Sequence, residues 1–213
     1  MEALHLNHAF LQAGRVRQFA ACTSALHKHP GNVTMSALHA SSPSRFAIFL
    51  ADHANPRCLA RYGGYGKMFE NLLRDDPSET WDILPVIDGF RPSLSELDNY
   101  HGFVITGSRH DAHGSDPWIV NLCDIVRHLH SKRKKILGFS NRSPIEIFCI
   151  GSHILGIQGH PEFEVDVVME IIESRTAAGI ITEEVANYSK ATIAKDNKDK
   201  AKWQQICKDF LKR

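Results

Sequence analysis

The sequence predicts an α/β domain built on a parallel sheet with crossover helices. Short apolar runs with polar boundaries, such as RFAIFLAD from Arg45 and GFVITGS from Gly102, are typical of buried strands. Segments with the apolar spacing of helices lie between such runs, and glycine-rich stretches mark the turns. Because strands that alternate with helices pack side by side in a parallel sheet, this order of segments predicts the fold class.

The first half of the domain supplies most of these elements. After the strand at Arg45, the stretch YGGYGKMFENLLRDD predicts a glycine turn and a helix with four apolar residues at helical spacing: Met68, Phe69, Leu72 and Leu73. WDILPVID predicts a second strand, and residues 98–100 lead into the third strand, GFVITGS. Another glycine turn, GSRHDAHGSDPW, precedes a helix predicted over 119–129, and KKILGFS predicts a fourth strand.

The alternation of strands and helices stops beyond Ser140. IEIFCIGSHILGIQGH predicts a hairpin of two short strands joined at Gly151 and Ser152, because no helical segment separates them. An amphipathic helix is predicted over 165–175. A second one is predicted in the tail KWQQICKDFLKR, where one side carries the apolar residues Trp203, Ile206, Phe210 and Leu211.

Composition places the chain among soluble globular proteins. Its 213 residues suffice for one domain with a real core, and 43% of them are hydrophobic. A formal net charge of +1 gives no electrostatic reason to expect a nucleic-acid partner. The chain lacks an apolar run of the roughly 18 to 20 residues that a membrane span needs, so we expect no membrane association.

Cysteine and histidine spacing argues against a metal site. The five cysteines show no C-x-x-C pair, which disfavours structural zinc and a disulfide framework and favours a reducing compartment. Among the thirteen histidines, His128 and His130 stand two residues apart in a predicted helix and therefore face different ways. We expect neither a metal nor a cofactor.

The first 44 residues differ in composition from the rest. They contain one acidic residue, Glu2, with Arg15, Arg17, Lys28 and many alanines and serines. Acid-poor N-termini of this kind occur in organelle transit peptides. A disordered extension, or a stretch upstream of a start at Met35, would have the same composition. We interpret residues 1–44 as a disordered extension and keep organelle import as the alternative.

The phrase QGHPE, residues 158–162, contains the strongest chemical signal. In an extended segment, side chains two residues apart lie on the same side, so Glu162 can orient the imidazole of His160. A histidine held by a carboxylate can act as general base toward a thiol or hydroxyl and as general acid toward a leaving amine. A proline turn flanked by chance by these two residues would produce the same phrase.

Several phrases together resemble class I glutamine amidotransferases, and most closely the plant γ-glutamyl peptidase branch. They are YGGY, GFVITGS, GSDPW, KKILG and HILGIQGHPE, and the resemblance extends from Arg45 through WQQICKDFLKR. It implies a flavodoxin-like α/β domain over 45–213 and a Cys-His-Glu triad whose last two members are His160 and Glu162. It also implies that backbone N–H groups at Gly107 and Ser108 help to form the oxyanion hole.

The same resemblance implies an activity. Members of this branch cleave γ-glutamyl bonds in the cytosol, acting on glutathione conjugates that include those of sulfur-containing defence compounds. The expected partner is thus a small γ-glutamyl substrate, attacked by a thiolate at its γ-carbonyl while His160 protonates the leaving amine. No cofactor is implied.

The cysteine of the triad is missing from its expected place. In the family, the strand that matches KKILG leads into a turn of the form G-x-C-x-G-x-Q, whereas this chain reads LGFSNRS and places Ser140 in the cysteine column. SNRSPIEIF resembles the family sequence that directly precedes the HILGIQGHPE strand. A deletion near Phe139, which would truncate the domain in its middle, is the simplest explanation.

Other residues are weak replacements for the nucleophile. Ser140 would be a poorer nucleophile than a thiolate, and Cys149 in IEIFCIG is typical of a small buried apolar residue. Cys58 follows NPR near the end of the first strand, so we expect it to be exposed enough to react, although an incidental thiol is the simpler interpretation. Two hypotheses stand: a γ-glutamyl hydrolase, or, as we favour for this chain, an inactive protein that binds ligands or a partner.

Overall fold

A computed structural model of the protein describes residues 43–140, 146–193 and 198–213. Almost all of the N-terminal extension expected over 1–44 lies outside the described residues. Most of SNRSPIEIF, where the deletion is expected to join the chain, also lies outside them. Within the described ranges, no helix combines the length and the apolar character that crossing a bilayer requires.

The described strands form one six-stranded sheet in the order β2-β1-β3-β4-β6-β5. All neighbours are parallel except β5 and β6, which are antiparallel. This arrangement confirms the predicted α/β fold, and the order 2-1-3-4 followed by a further parallel strand is flavodoxin-like. The strands are β1 (Arg45–Phe49), β2 (Thr80–Leu84), β3 (Gly102–Ile105), β4 (Lys135–Phe139), β5 (Ile147–Ile150) and β6 (Ile154–Ile157).

Helices cover both faces of the sheet. The second and the last helix pack against one face, and the fourth helix packs against the other. The helices predicted from apolar spacing are all present. In chain order the helices are α1 (Pro56–Tyr62), α2 (Tyr65–Leu73), α3 (Leu94–Leu97), α4 (Pro117–Ser131), α5 (Val165–Ala177), α6 (Glu183–Ile193) and α7 (Lys198–Lys212).

The core follows from the alternation of side chains along each strand. In β1, Phe46 and Ile48 face α2 and α7, whereas Ala47 and Phe49 face α4. All four are at most 2% exposed, because a parallel sheet with helices on both faces buries both sides of its central strands. The continuous apolar run FAIF, residues 46–49, reflects this burial on both sides.

Three local elements differ from the prediction or were missed. The second strand ends at Leu84, short of the predicted WDILPVID, because Pro85 has no N–H for the ladder and a 3₁₀ turn, Val86–Asp88, follows. Helix α1 was missed, although Asn55 caps it and Pro56 occupies its first turn. Helix α3 was also missed and begins with a capping box of Ser93 and Glu96.

The hairpin predicted beyond Ser140 is present as β5 and β6. Gly151 has φ of 57° in its turn, a left-handed conformation that favours glycine. The ring of Phe148 lies directly over Gly156 on the neighbouring strand, where any Cβ would collide with it. Phe148 and Ile150 nevertheless remain 47% and 46% exposed, so this end of the sheet is only partly covered.

Candidate active site

Four residues that could take part in a site lie at one edge of the sheet, each directly after a strand. Asp52 follows β1, Gly107 follows β3, Ser140 follows β4 and His160 follows β6. These four strands are mutually parallel, so their carboxyl ends meet at the same edge. In open α/β sheets this edge is where ligands bind.

His160 and Glu162 form a hydrogen-bonded pair. The Nδ1 atom of His160 lies 2.7 Å from Oε1 of Glu162. The two side chains are 11% and 1% exposed. The segment is a turn closed by the Phe163 N–H donating to the His160 carbonyl, so the expected extended conformation is wrong, although the expected contact forms. With Nδ1 engaged by the carboxylate, Nε2 is the ring nitrogen left to meet a substrate.

Aromatic packing fixes the plane of the imidazole. The rings of His160 and Phe163 stack with centroids 4.6 Å apart and planes 6° apart. Tyr65, the first residue of α2, contacts Phe163 in turn, with ring centroids 5.9 Å apart. Since Glu162 holds one edge of the imidazole and Phe163 one face, the ring has little freedom to turn away.

Gly107 lies directly against His160. A Cβ at this glycine would stand 3.0 Å from Cε1 of the imidazole, closer than Cβ atoms normally pack, and at an ordinary contact distance of 3.7 Å from Nε2. Glycine therefore allows the loop after β3 to approach the ring. The neighbouring Ser108 turns its hydroxyl toward the backbone and accepts a hydrogen bond from the His110 N–H at 3.1 Å. The structure thus brings His160, Glu162 and the Gly107 loop together.

Hydrogen bonds between the ends of β1 and β3 hold this loop. The buried Thr106 hydroxyl accepts from the Ala51 N–H at 2.9 Å. The Asp52 carboxylate accepts from the Arg109 N–H at 2.8 Å and from the Arg109 guanidinium at 3.0 Å. Burial pushes the pKa of Asp52 upward, but these bonds, with one from the His53 N–H, outweigh burial and hold the pKa below its ordinary value.

Ser140 lies beside the site without joining the pair. It follows β4, and its N–H donates to the Ile157 carbonyl at 3.0 Å, so it stands next to the end of the strand that leads to His160. Its side chain is half-buried. Among the described residues, no hydrogen bond connects Ser140 with His160. Residues 141–145, which follow Ser140 directly, lie outside the described ranges.

The expectations for two cysteines are wrong. Cys58 was expected to be exposed, but it is 1% exposed on the buried side of α1, where its thiol contacts the Met68 sulfur at 3.5 Å. Burial, followed by the charges of Glu170 and Asp166, raises the pKa of Cys58, so the unreactive thiol dominates. Cys149 was expected to be buried, but it is exposed on the edge strand β5. It is also disulfide-bonded, contrary to the expectation drawn from the cysteine spacing.

One thiol near Glu162 escaped the sequence analysis. Cys207 on α7 is fully buried, and burial together with the charge of Glu162 raises the pKa of Cys207 to about 12. The Oε2 atom of Glu162 is buried without a hydrogen-bond partner. A thiol with this pKa is protonated near neutral pH, and it has no exposed surface from which to reach a substrate.

Sequence reasoning also missed the residues that support the pair. Asp52, Arg109, Tyr65 and Phe163 come from four separate segments, and only the folded chain brings them together. The Asp52 signal was present in LAD at the end of the first strand, where a carboxylate commonly lies at the ligand-binding edge. Over the described ranges, no three His, Cys, Asp or Glu side chains cluster in a way that could hold a metal ion.

Several named proteins of Arabidopsis thaliana are similar to this chain over most of their length. The chain is 30% identical to gamma-glutamyl peptidase 4 of Arabidopsis thaliana over 79% of this chain and 96% of the relative. It is 29% identical to gamma-glutamyl peptidase 5 and 28% identical to gamma-glutamyl peptidase 3 of the same plant, over 79% of this chain and 95% and 96% of the relatives. No protein-family model matches the chain.

The alignments contain more positions than this chain has aligned residues. The alignment with gamma-glutamyl peptidase 4 spans 241 positions, whereas 79% of the 213 residues is about 168 residues. About 73 of its positions, the difference between these two lengths, therefore have no counterpart in this chain.

Proposed function

The chain belongs to the γ-glutamyl peptidase family, and on that premise we propose that it binds γ-glutamyl compounds at His160 without efficient hydrolysis. The observation that carries this proposal is the packing of the His160–Glu162 pair against Gly107. This geometry suits an imidazole that protonates a leaving amine beside backbone donors for an oxyanion. Among the described residues, the site lacks an activated nucleophile, which turnover would require.

The absence of an activated thiol is supported by the chemistry of the cysteines. Of the described cysteines, Cys58 and Cys207 are buried with raised pKa values, and Cys149 is held in a disulfide. Cys123 is only partly exposed on α4, which covers the face of the sheet opposite α7. In triad hydrolases, removal of the nucleophile lowers kcat by about a millionfold, because the remaining groups only assist attack by water.

The origin of the gap is proposed to be an internal deletion after β4. The roughly 73 unmatched positions support it. Because the alignment covers 96% of the relative, these positions lie inside the alignment and not beyond its ends. The direct passage from β4 to the hairpin, with no helix described between Ser140 and β5, also supports it. Sequencing the transcript across the codons for Gly138 to Ser143 tests this step, and an intact elbow sequence there would remove it.

A hydrolase that uses Ser140 is the second candidate. Its position at the carboxyl end of β4, next to the strand that leads to His160, favours it. A serine hydroxyl needs a base within hydrogen-bond reach, and Ser140 makes no such bond with His160 among the described residues. We therefore rank this function below ligand binding.

The test measures binding and turnover in the same preparations. The unaltered chain, His160→Ala and the exposed-loop control His113→Ala are titrated calorimetrically with S-methylglutathione and assayed for release of γ-glutamate by mass spectrometry. Gamma-glutamyl peptidase 4 of Arabidopsis serves as the active reference. We expect binding by the unaltered chain and the control, with no turnover. Turnover that His160→Ala abolishes would instead establish a hydrolase, and Ser140→Ala would then show whether Ser140 is its nucleophile.

We further propose glutathione conjugates as the γ-glutamyl ligands and the cytosol as the location. Support for both comes from the resemblance of the sequence to the plant branch. A fusion of residues 1–44 to a fluorescent protein tests the location, because a transit peptide would carry the fusion into an organelle. Diffuse fluorescence agrees with the cytosol, and organellar fluorescence contradicts it.

A further inference from the structure

The guanidinium of Arg109 lies at the edge of the sheet where the candidate active site forms. Arg109 follows Gly107 by two residues in the loop after β3. Its side chain is 69% exposed, whereas that of its partner Asp52 is 5% exposed. The bond between them ties the loop to the end of β1, but such a tie does not require a guanidinium in solvent. A buried carboxylate that holds an exposed cation in a fixed position favours a role in ligand binding.

Asp52 engages the guanidinium from one side only. Nε of Arg109 donates to Oδ2 of Asp52 at 3.0 Å, and Nη2 donates to Oδ1 at 3.0 Å. Because a guanidinium has five N–H donors, this pairing leaves the second N–H of Nη2 and both N–H groups of Nη1 for other partners. One N–H of Nη1 and the remaining N–H of Nη2 are parallel, which is the arrangement that a second carboxylate can accept.

The exposed side of this ion pair is its positive side. Because Asp52 is buried and Arg109 is exposed, a ligand that arrives from solvent meets the guanidinium first. Each of the other acidic residues of the loop, Asp111 and Asp116, has a histidine as its neighbour. The local charge therefore favours an anionic group of a ligand at Arg109.

Arg109 is also close to the imidazole of His160. A Cβ at Gly107 would stand 3.0 Å from Cε1 of that ring. Two residues of chain span at most about 7 Å, which limits the distance from Gly107 to the Cα of Arg109. The side chain then folds back along the loop, because its Nε and the Arg109 N–H donate to the same oxygen of Asp52, at 3.0 and 2.8 Å. The guanidinium thus lies within the length of a small ligand from the imidazole.

Tyr65 borders both charged pairs of the site. Its ring lies 5.9 Å from that of Phe163, the residue that stacks on the imidazole. Burial raises the pKa of Tyr65, and the charges of Asp52, Arg109 and Glu162 also act on this pKa. The Asp52–Arg109 pair and the carboxylate that holds the imidazole are therefore neighbours of one side chain.

We infer that Arg109 binds the α-carboxylate of the γ-glutamyl group and that Asp52 positions the guanidinium for this contact. The inference rests on the proposed function, which places the γ-glutamyl bond at His160. In a γ-glutamyl group the α-carboxylate lies about 5 Å from the γ-carbonyl, since four C–C bonds of about 1.5 Å separate them. This span fits between the Gly107 loop and the guanidinium. A planar carboxylate accepts two parallel N–H bonds from such a group.

The experiment compares three ligands on the full chain by calorimetry. They are S-methylglutathione, its C-terminal carboxamide, and an analogue in which γ-aminobutyryl replaces the γ-glutamyl group. The analogue keeps the amine and the γ-carbonyl and lacks only the α-carboxylate. We expect the unaltered chain to bind S-methylglutathione about tenfold more tightly than the analogue, the size expected for charge-assisted hydrogen bonds. Arg109→Gln should bind these two ligands equally.

Two further variants control for charge and folding. Arg127→Gln, at an exposed arginine on α4, should keep the tenfold preference. If Arg109→Gln fails to fold because the buried Asp52 carboxylate has lost its cationic partner, Asp52→Asn/Arg109→Gln provides a second test. This double variant removes the unpaired charge and should also bind S-methylglutathione and the analogue equally.

Each other outcome has a distinct meaning. Equal binding of S-methylglutathione and the analogue by the unaltered chain overturns the inference and leaves the proposed function intact. A preference that persists in the Arg109 variants also overturns it. If Arg109→Gln instead abolishes a preference for S-methylglutathione over its carboxamide, Arg109 holds the other end of the ligand and the inference is wrong. If the unaltered chain binds none of the three ligands, both the inference and the proposed function fail.

Discussion

The two ends of the sheet are built differently. In the half formed by β2, β1, β3 and β4, helices connect the strands and cover both faces, and Phe103 and Val104 of β3 are fully buried. At the other end, β5 and β6 form a hairpin, and Phe148 and Ile150 are almost half exposed. The sheet therefore keeps its strand order, and the chain its His160–Glu162 pair, although one end of the sheet is only partly covered.

The largest expected effect tests the difference in burial directly. Phe103→Ala should lower the free energy of unfolding by about 3–5 kcal/mol, because a fully buried ring is replaced by a cavity. Phe148→Ala should cost less than about half as much, since nearly half of its surface is already in water. Urea unfolding of both variants provides the measurement. Equal losses would show that the hairpin end is as well packed as the other half.

A middle-sized effect is expected where β1 and β3 are joined at the site. Asp52→Asn should cost about 1.5–3 kcal/mol at pH 7, because hydrogen bonds to a buried charged group are lost. The pKa of Asp52 is lowered in the folded state, so its contribution is present above the unfolded value near 3.9 and is lost as pH falls below it.

Urea unfolding at several pH values between 7 and 3.5 measures this contribution. The gap between the unaltered chain and Asp52→Asn should narrow at the acid end. The matched control is Asp124→Asn, which removes an exposed partner of Arg127 and should change stability by under about 1 kcal/mol. A gap that stays constant with pH would contradict the role given to the Asp52 charge.

The smallest effect is expected at the hairpin end. His153 is 4% exposed, with Nε2 2.9 Å from Nδ1 of His130 and its own Nδ1 unpartnered. Burial, followed by the charges of Arg133, His130 and Lys135, lowers the pKa of His153. As the pH is lowered through the unfolded-state pKa near 6.5, the unfolded chain takes up a proton that the folded chain resists. The free energy of unfolding therefore decreases as the pH is lowered.

A single proton limits this slope to about 1.4 kcal/mol per pH unit. Thermal or urea unfolding between pH 7.5 and 5 should give a shallower slope for His153→Gln than for the unaltered chain. His113→Gln, at an exposed histidine, should leave the slope unchanged. Parallel slopes for all three proteins would mean that His153 takes up its proton equally well in the folded state.

The fold was largely predictable because period and burial agree along most of the chain. Met68, Phe69, Leu72 and Leu73 are all buried in α2, as their spacing indicates. The predictions of strands and helices failed where a proline or a side-chain cap determines the backbone conformation locally. Pro85 ended a strand that its apolar neighbours seemed to extend, and side-chain caps built α1 and α3 in segments too short to show a period.

The site was predictable where its residues are neighbours in sequence. The contact between His160 and Glu162 was predicted from QGHPE, although the segment forms a turn where an extended conformation was expected. The burial of Cys58 depends on Met68 and Val167, which come from two other helices, and no local pattern reports that cover. The exposure of Cys149 has a related cause: an apolar strand is normally covered, and only the assembled sheet reveals that β5 lies at its edge.

The ends of the short join between β4 and β5 are both attached to β6. The Ser140 N–H donates to the Ile157 carbonyl, and the Glu146 carbonyl accepts from the Gln158 N–H. They flank a single strand and so stand about 10 Å apart, two strand spacings. A loop and helix transplanted from a relative could therefore be inserted between Ser140 and Glu146. The pairing with β6 already fixes the positions of both ends of such an insertion.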